Sequence, residues 1–166
     1  MADSHARAAA ARRLYLLFCI GSDRYALEAR DVAEVLGLRA LKQVPGAPSW
    51  VAGMLERRGA AVPVIDMSAL AGRGAAAAVT STRLALVRYR GAPQAEPRLL
   101  GLILEQATET AHFDPAAFRP GGLDHPEARY LGPVLSHAGG LVQAVRVDDL
   151  LPAAVRALLF PNEARP

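Results

Sequence analysis

The chain has 166 residues, 52% of them hydrophobic and 5% aromatic, and a net charge of +3 in which Lys42 is the only lysine. That length suits one domain, or two small lobes on a shared core filled by aliphatic side chains. The arginines are scattered among acidic residues, which argues against a nucleic-acid footprint; the single cysteine, Cys19, excludes an intramolecular disulfide and fits a reducing compartment; and no apolar run approaches the ~20 residues of a membrane helix.

Residues 1–12 are alanine-rich and polar and read as a disordered tail. Arg12-Arg13 before an apolar stretch imitates an export signal, but Gly21-Ser22-Asp23-Arg24 follows at once and a strand pattern resumes, so export is rejected. Leu14–Ile20 is continuously apolar, as in a strand buried on both faces. The turn at 21–24 returns it as Tyr25-Ala26-Leu27, a first hairpin. Glu28–Ala33 allows one helical turn, and Val32, Val35 and Leu36 fit helix or strand spacing alike. Pro45, Gly46 and Pro48 make 41–49 an extended loop.

Val51–Asp66 reads as strand, tight turn, strand. Its turn carries Glu56, Arg57 and Arg58, then Gly59, which tolerates positive φ. Pro63 lacks an N–H, so its arm is an edge or bulged there. Asp66 caps a short helix over Met67–Leu70, with Gly72 just beyond. Gly72–Ser81 reads as a linker between lobes. Leu84–Val87 and Leu99–Leu104 form a second hairpin around the loop at 91–97, loosely repeating the opening layout; Ala107–Phe113 extends the sheet. The segment 114–133 is rich in proline and glycine and reads as loop. Gly139-Gly140 turns into a strand over Leu141–Val147 with Leu141, Val145 and Val147 on one face. Asp148 or Asp149 caps a last helix to Phe160, with Leu151, Val155, Leu158 and Leu159 as its apolar stripe. The sum is mainly β, short strands suited to small closed barrels.

Catalytic and metal chemistry finds little support. His5, His112, His125 and His137 have no zinc-ligand spacing, and Cys19 has no neighbouring cysteine. His112 with Asp114 is either a paired site or a solvated loop pair. Cys19, inside an apolar strand, reads as a packing residue. No phosphate-binding glycine loop or nucleophile elbow occurs, so no cofactor is expected. The charged turn has two readings: a solvated knuckle with a cross-hairpin ion pair worth little, or arginine presented rigidly to a partner carboxylate.

The spaced motifs Phe18-x-Ile20-Gly21-x-x-x-Tyr25-Ala26-Leu27, Val32-x-Glu34-Val35, Pro45-x-x-Pro48-x-x-Val51-x-Gly53 and Arg58-Gly59-x-x-Val62-Pro63-Val64-Ile65-Asp66 resemble the CheW-like family of chemotaxis coupling proteins. The resemblance implies a fold of two SH3-like five-stranded β-barrels around a shared apolar seam. As lobes these fall roughly at 22–80 and at 81–148 with the first strand, within a domain spanning 13–160, and residues 161–166 form a tail. It also implies a non-enzymatic cytoplasmic scaffold, recruited to membrane receptor arrays, that bridges the tip of a methyl-accepting chemoreceptor and the regulatory domain of a CheA-type histidine kinase. Arg58 and Gly59 match the family's Asn-Leu-Arg-Gly knuckle and inherit its receptor-contact and turn roles. Glu56 stands for the asparagine and Arg57 for the apolar residue, so receptor choice is expected to differ there. Val32 and Val35 match apolar positions near the same groove. Gly21–Ala29, 44–53 and Leu150–Phe160 are similar to the WspB type, which serves surface sensing with cyclic-di-GMP output. The competing reading, from the basic charge balance, is a barrel-type nucleic-acid binder.

Overall fold

The computed structural model describes residues 11–122 and 125–161. The tails expected over 1–12 and 161–166 fall almost wholly outside them. Among the described residues, nine strands and two short α-helices follow in order, with 3-10 turns between some of them: β1 (Arg13–Ile20), β2 (Asp23–Glu28), β3 (Val32–Gly37), β4 (Val51–Arg57), β5 (Ala60–Asp66), α1 (Met67–Leu70), β6 (Arg83–Tyr89), β7 (Arg98–Phe113), β8 (Leu131–His137), β9 (Gly140–Val145) and α2 (Ala153–Leu159).

The strands form two five-stranded barrels that share β7. The first is ordered β3-β6-β7-β5-β4, using β7 up to Leu104, with β5 and β7 parallel. The second is ordered β7-β1-β2-β9-β8, using β7 from Glu105 onward, with β2 and β9 parallel. The two orders are one pattern cut at different points in the chain. A strand leads through a loop to a hairpin (β3 to β4–β5, or β7 to β8–β9), and a second hairpin (β6–β7, or β1–β2) completes the barrel. Each is closed by one isolated main-chain bridge, Lys42 to Met54 in the first and Arg119 to Val134 in the second. The loose repeat in the sequence is therefore a topological one.

The expected lobe boundaries need correction. β2 belongs with β1 in the second barrel, while β6 and the first half of β7 belong to the first. The segment 72–81 joins two strands of one barrel. It is also pinned: Asp66 Oδ2 accepts Ala76 N at 2.8 Å and Glu105 Oε1 accepts Ala77 N at 3.1 Å. Flexible composition does not make a linker when carboxylates capture its amides.

Continuous apolar runs mark strands buried on both sides. Along β1, Tyr15 and Leu17 fill the second barrel, whereas Leu16, Phe18 and Ile20 face the seam between barrels. Along β6, Leu84 and Leu86 fill the first barrel, and Ala85, Val87 and Tyr89 meet the same seam. The seam is the largest core, joined by Leu100, Leu102 and Leu104 of β7 and by Leu159 and Phe160 at the end of α2. Each large side chain buried there stabilises by about 1.5–3 kcal/mol.

Pro63 sits where β5 pairs only with β4; pairing to β7 starts at Val64. Its missing N–H is thus placed on a locally free edge. Asp66 caps α1, accepting Ser68 N at 3.0 Å and Ala69 N at 3.2 Å. With Ala76 it satisfies three amides while itself buried. Asp66→Ala is expected to cost about 2–4 kcal/mol, a cap plus orphaned donors, read as a lower denaturant midpoint at unchanged slope.

The C-terminal half departs more from expectation. β8 was hidden because Gly132 and Pro133 lie inside it. Leu141 is 65% exposed at the start of β9, and Val142 is the buried residue instead. Asp148 and Asp149 do not cap α2, whose N-cap is Pro152; they lie in a 3-10 turn, where Asp148 accepts Arg90 N at 2.9 Å. With seven residues, α2 buries Leu159 but leaves Leu158 exposed.

Candidate partner-binding site at the first-barrel hairpin

The β4–β5 hairpin ends in a two-residue turn, with Arg58 at φ 50° and Gly59 at φ 80°. Both central residues at positive φ define a type I′ turn, whose twist matches that of the flanking strands. Glycine accepts this without strain; arginine in the left-handed region costs about 1–2 kcal/mol. Glu56 Oε1 accepts Gly59 N at 2.9 Å across the turn. Its carboxylate is therefore engaged by the hairpin itself.

Arg57 does not form a cross-hairpin pair. Its guanidinium leaves the hairpin and grips Glu34 on β3 at two points: Nε donates to Oε2 at 3.1 Å and Nη2 donates to Oε1. The hydrogen bonds from Arg57 hold the Glu34 carboxyl below its ordinary value of 4.5, helped by the charges of Arg57, Arg58 and Arg39 and opposed by partial desolvation. The same pair raises Arg57. Because the folded-state value of Glu34 is depressed, the pair is fully present above pH 4.5 and is lost as pH falls through the lower folded-state value. A carboxyl NMR titration of Glu34 should show a midpoint below that of an exposed glutamate, and Arg57→Leu should raise it.

Arg58 and Gly59 are exposed at the tip, and no ion pair to Arg58 occurs among the described residues. The two valines part ways. Val32 is half-buried against the seam core, opposite Val87, while Val35 is 44% exposed. Leu38, four residues beyond Glu34, is also exposed. The structure thus gathers Glu56, Arg57, Arg58 and Gly59 with Glu34, leaves Val35 exposed on the same strand, and turns Val32 inward. Glu34 and the nearby Arg39 were missed as site residues. Glu34 lay inside the motif Val32-x-Glu34-Val35, but nothing in the sequence brings it opposite Arg57.

Elsewhere, Asp114 accepts Ala116 N at 2.9 Å as a turn cap and His112 is exposed. His137 packs edge-on against Phe113 at 4.9 Å. Burial pushes the Cys19 thiol up, away from nucleophilic use. No cluster of three potential metal ligands occurs among the described residues.

A family model described as "CheW-like domain" matches residues 14–155. The chain belongs to the CheW-like domain family. It is 25% identical over 146 residues to the chemotaxis protein CheW of Rhizobium meliloti (strain 1021), covering 87% of this chain and 90% of that one. It is 35% identical over 86 residues to protein FrzA of Myxococcus xanthus, covering 51% and 54%. The fold is similar to the crystal structure of scaffolding protein TtCheW from Thermoanaerobacter tengcongensis, with a TM-score of 0.73 at 20% identity over 87% of this chain and 90% of that one. In this CheW-like chain the two shared-strand barrels are accordingly the family's fold, and the hairpin tip is where the motif's Arg58 and Gly59 stand.

Proposed function

We propose that this chain is a non-catalytic cytoplasmic adaptor that couples methyl-accepting chemoreceptors to a CheA-type histidine kinase in a chemosensory pathway. The observation that carries the reading is the family match over residues 14–155 together with a type I′ turn that holds Arg58 exposed at its tip. A guanidinium held out by a rigid hairpin suits a carboxylate on a receptor helix. One barrel serves the kinase's own CheW-like regulatory domain, and the knuckle serves the receptor. No helix among the described residues is long and apolar enough to cross a membrane; in this reading the family's receptor contact is what recruits the chain to the membrane. Similarity of the 21–29, 44–53 and 150–160 segments to the WspB type favours a surface-sensing pathway with cyclic-di-GMP output.

Calorimetric titration tests this: the purified chain should bind both a receptor cytoplasmic-tip fragment and the kinase regulatory domain, and binding to neither would overturn it. The nucleic-acid reading rests on net positive charge. It is weakened because many cations serve the fold: Arg13 and Arg30 pair with Glu28, Arg57 pairs with Glu34, and Arg88 donates to the carbonyls of Arg30 and Val32. A salt titration should find no affinity for single-stranded DNA.

A further inference from the structure

Among the described residues, β3 and β4 end the first barrel's pairing order without pairing to each other. Main-chain closure comes only where Lys42, past the end of β3, exchanges hydrogen bonds of 2.9 and 2.7 Å with Met54. From Met54 toward the tip, the gap is spanned by the side-chain grip of Arg57 on Glu34. The second barrel has the same gap between β7 and β8, with the Arg119–Val134 bridge at its base. There the span is made by His137, whose ring meets Phe113. Arg57 and His137 occupy one topological position: each is the last strand residue before a turn with two positive φ angles, Arg58-Gly59 in one barrel and Ala138-Gly139 in the other.

We propose that the Glu34–Arg57 pair is a positioning clamp: it replaces the absent main-chain pairing between β3 and β4 and fixes the direction in which Arg58 faces an acidic partner segment. The proposal rests on the adaptor reading above for its partner, but not for the clamp itself. Arg57 is a positioning residue, not a contact. Both its hydrogen-bonding edges toward Glu34 are occupied, and a two-point guanidinium–carboxylate grip constrains orientation as a single ammonium contact cannot. Glu56 is committed to Gly59 N. That leaves Arg58 as the turn residue addressed outward, so the two departures from the family knuckle adjust how it is held rather than supply new contacts.

The test is a double-mutant cycle in the full chain with Glu34→Gln, Arg57→Leu and both together, plus Arg57→Lys. Two quantities are read: amide hydrogen exchange at 58–61, and affinity for a receptor cytoplasmic-tip fragment. Each single variant should raise exchange about tenfold and weaken binding about fivefold or more, and the double variant should be no worse than the weaker single, since one coupled interaction is lost once. Arg57→Lys should resemble Arg57→Leu. Wild-type exchange and affinity in the single variants, losses that add in the double variant, or full rescue by lysine would each overturn the clamp. If the wild-type chain does not bind the fragment, the receptor reading fails, while the exchange cycle still decides the clamp: coupled increases uphold it and unchanged rates overturn it.

Discussion

Gly53→Ala is expected to destabilise the protein by about 3–5 kcal/mol, a large share of the ~5–15 kcal/mol typical of a domain. Gly53 has φ 146°, a region open in practice to glycine alone, and a Cβ there would lie 2.5 Å from the carbonyl oxygen of Lys42. That oxygen accepts Met54 N in the bridge that closes the first barrel. The substitution therefore combines backbone strain of about 1–3 kcal/mol with loss of two closing hydrogen bonds at about 1 kcal/mol each. Neither neighbour can yield cheaply, since the obstructing atom is backbone. Gly59→Ala is the control: its φ is 80° but nothing lies within 4 Å of an added Cβ, so it should cost only about 1–2 kcal/mol. Denaturant unfolding distinguishes them. Equal losses would mean that closure at Lys42 contributes nothing.

Arg58→Glu is expected to weaken receptor binding at least tenfold, about 1.4 kcal/mol or more, while changing stability by no more than about 0.5 kcal/mol. Charge-assisted hydrogen bonds to a partner carboxylate contribute about 1.5–3 kcal/mol, and reversal replaces attraction with repulsion. The exposed tip leaves no packing to lose, and glutamate meets the same left-handed strain as arginine. Binding to the kinase regulatory domain should be unchanged. Unaltered receptor affinity would remove Arg58 from the interface.

Local chemistry made much of this fold legible. Asp66 as a cap, Gly72 beyond α1 and Pro63 on a free edge each follow from one residue's hydrogen-bonding or dihedral limits, and each stands where expected. Pairing across long separations did not follow. β7 looks like two pieces because its first half is buried on both sides and its second half is largely exposed. Only the partners show that it is one strand changing barrels at Glu105. The lobe boundaries failed for that reason. β8 failed because a Gly-Pro pair inside a strand carries the local signature of a turn, whereas here the glycine sits against β9, with the Ala144 carbonyl oxygen 3.0 Å from where a Cβ at Gly132 would lie.

The candidate site divides in the same way. The tight turn at Gly59 and the exposure of Arg58 could be read from the hairpin pattern. The commitment of Arg57 to Glu34 could not, because the two are 23 residues apart and meet only when β3 and β4 curve around to close the barrel. Val32 and Val35 likewise look equivalent in sequence. A register shift in β3 between Val32 and Glu34 accompanies their different burial.

Co-sedimentation of the kinase with receptor cytoplasmic-tip assemblies, with and without this chain, tests the adaptor reading most directly. Kinase should sediment with receptor when the wild-type chain is added and remain in the supernatant with Arg58→Glu. Equal sedimentation with wild-type, Arg58→Glu or no added chain would contradict it.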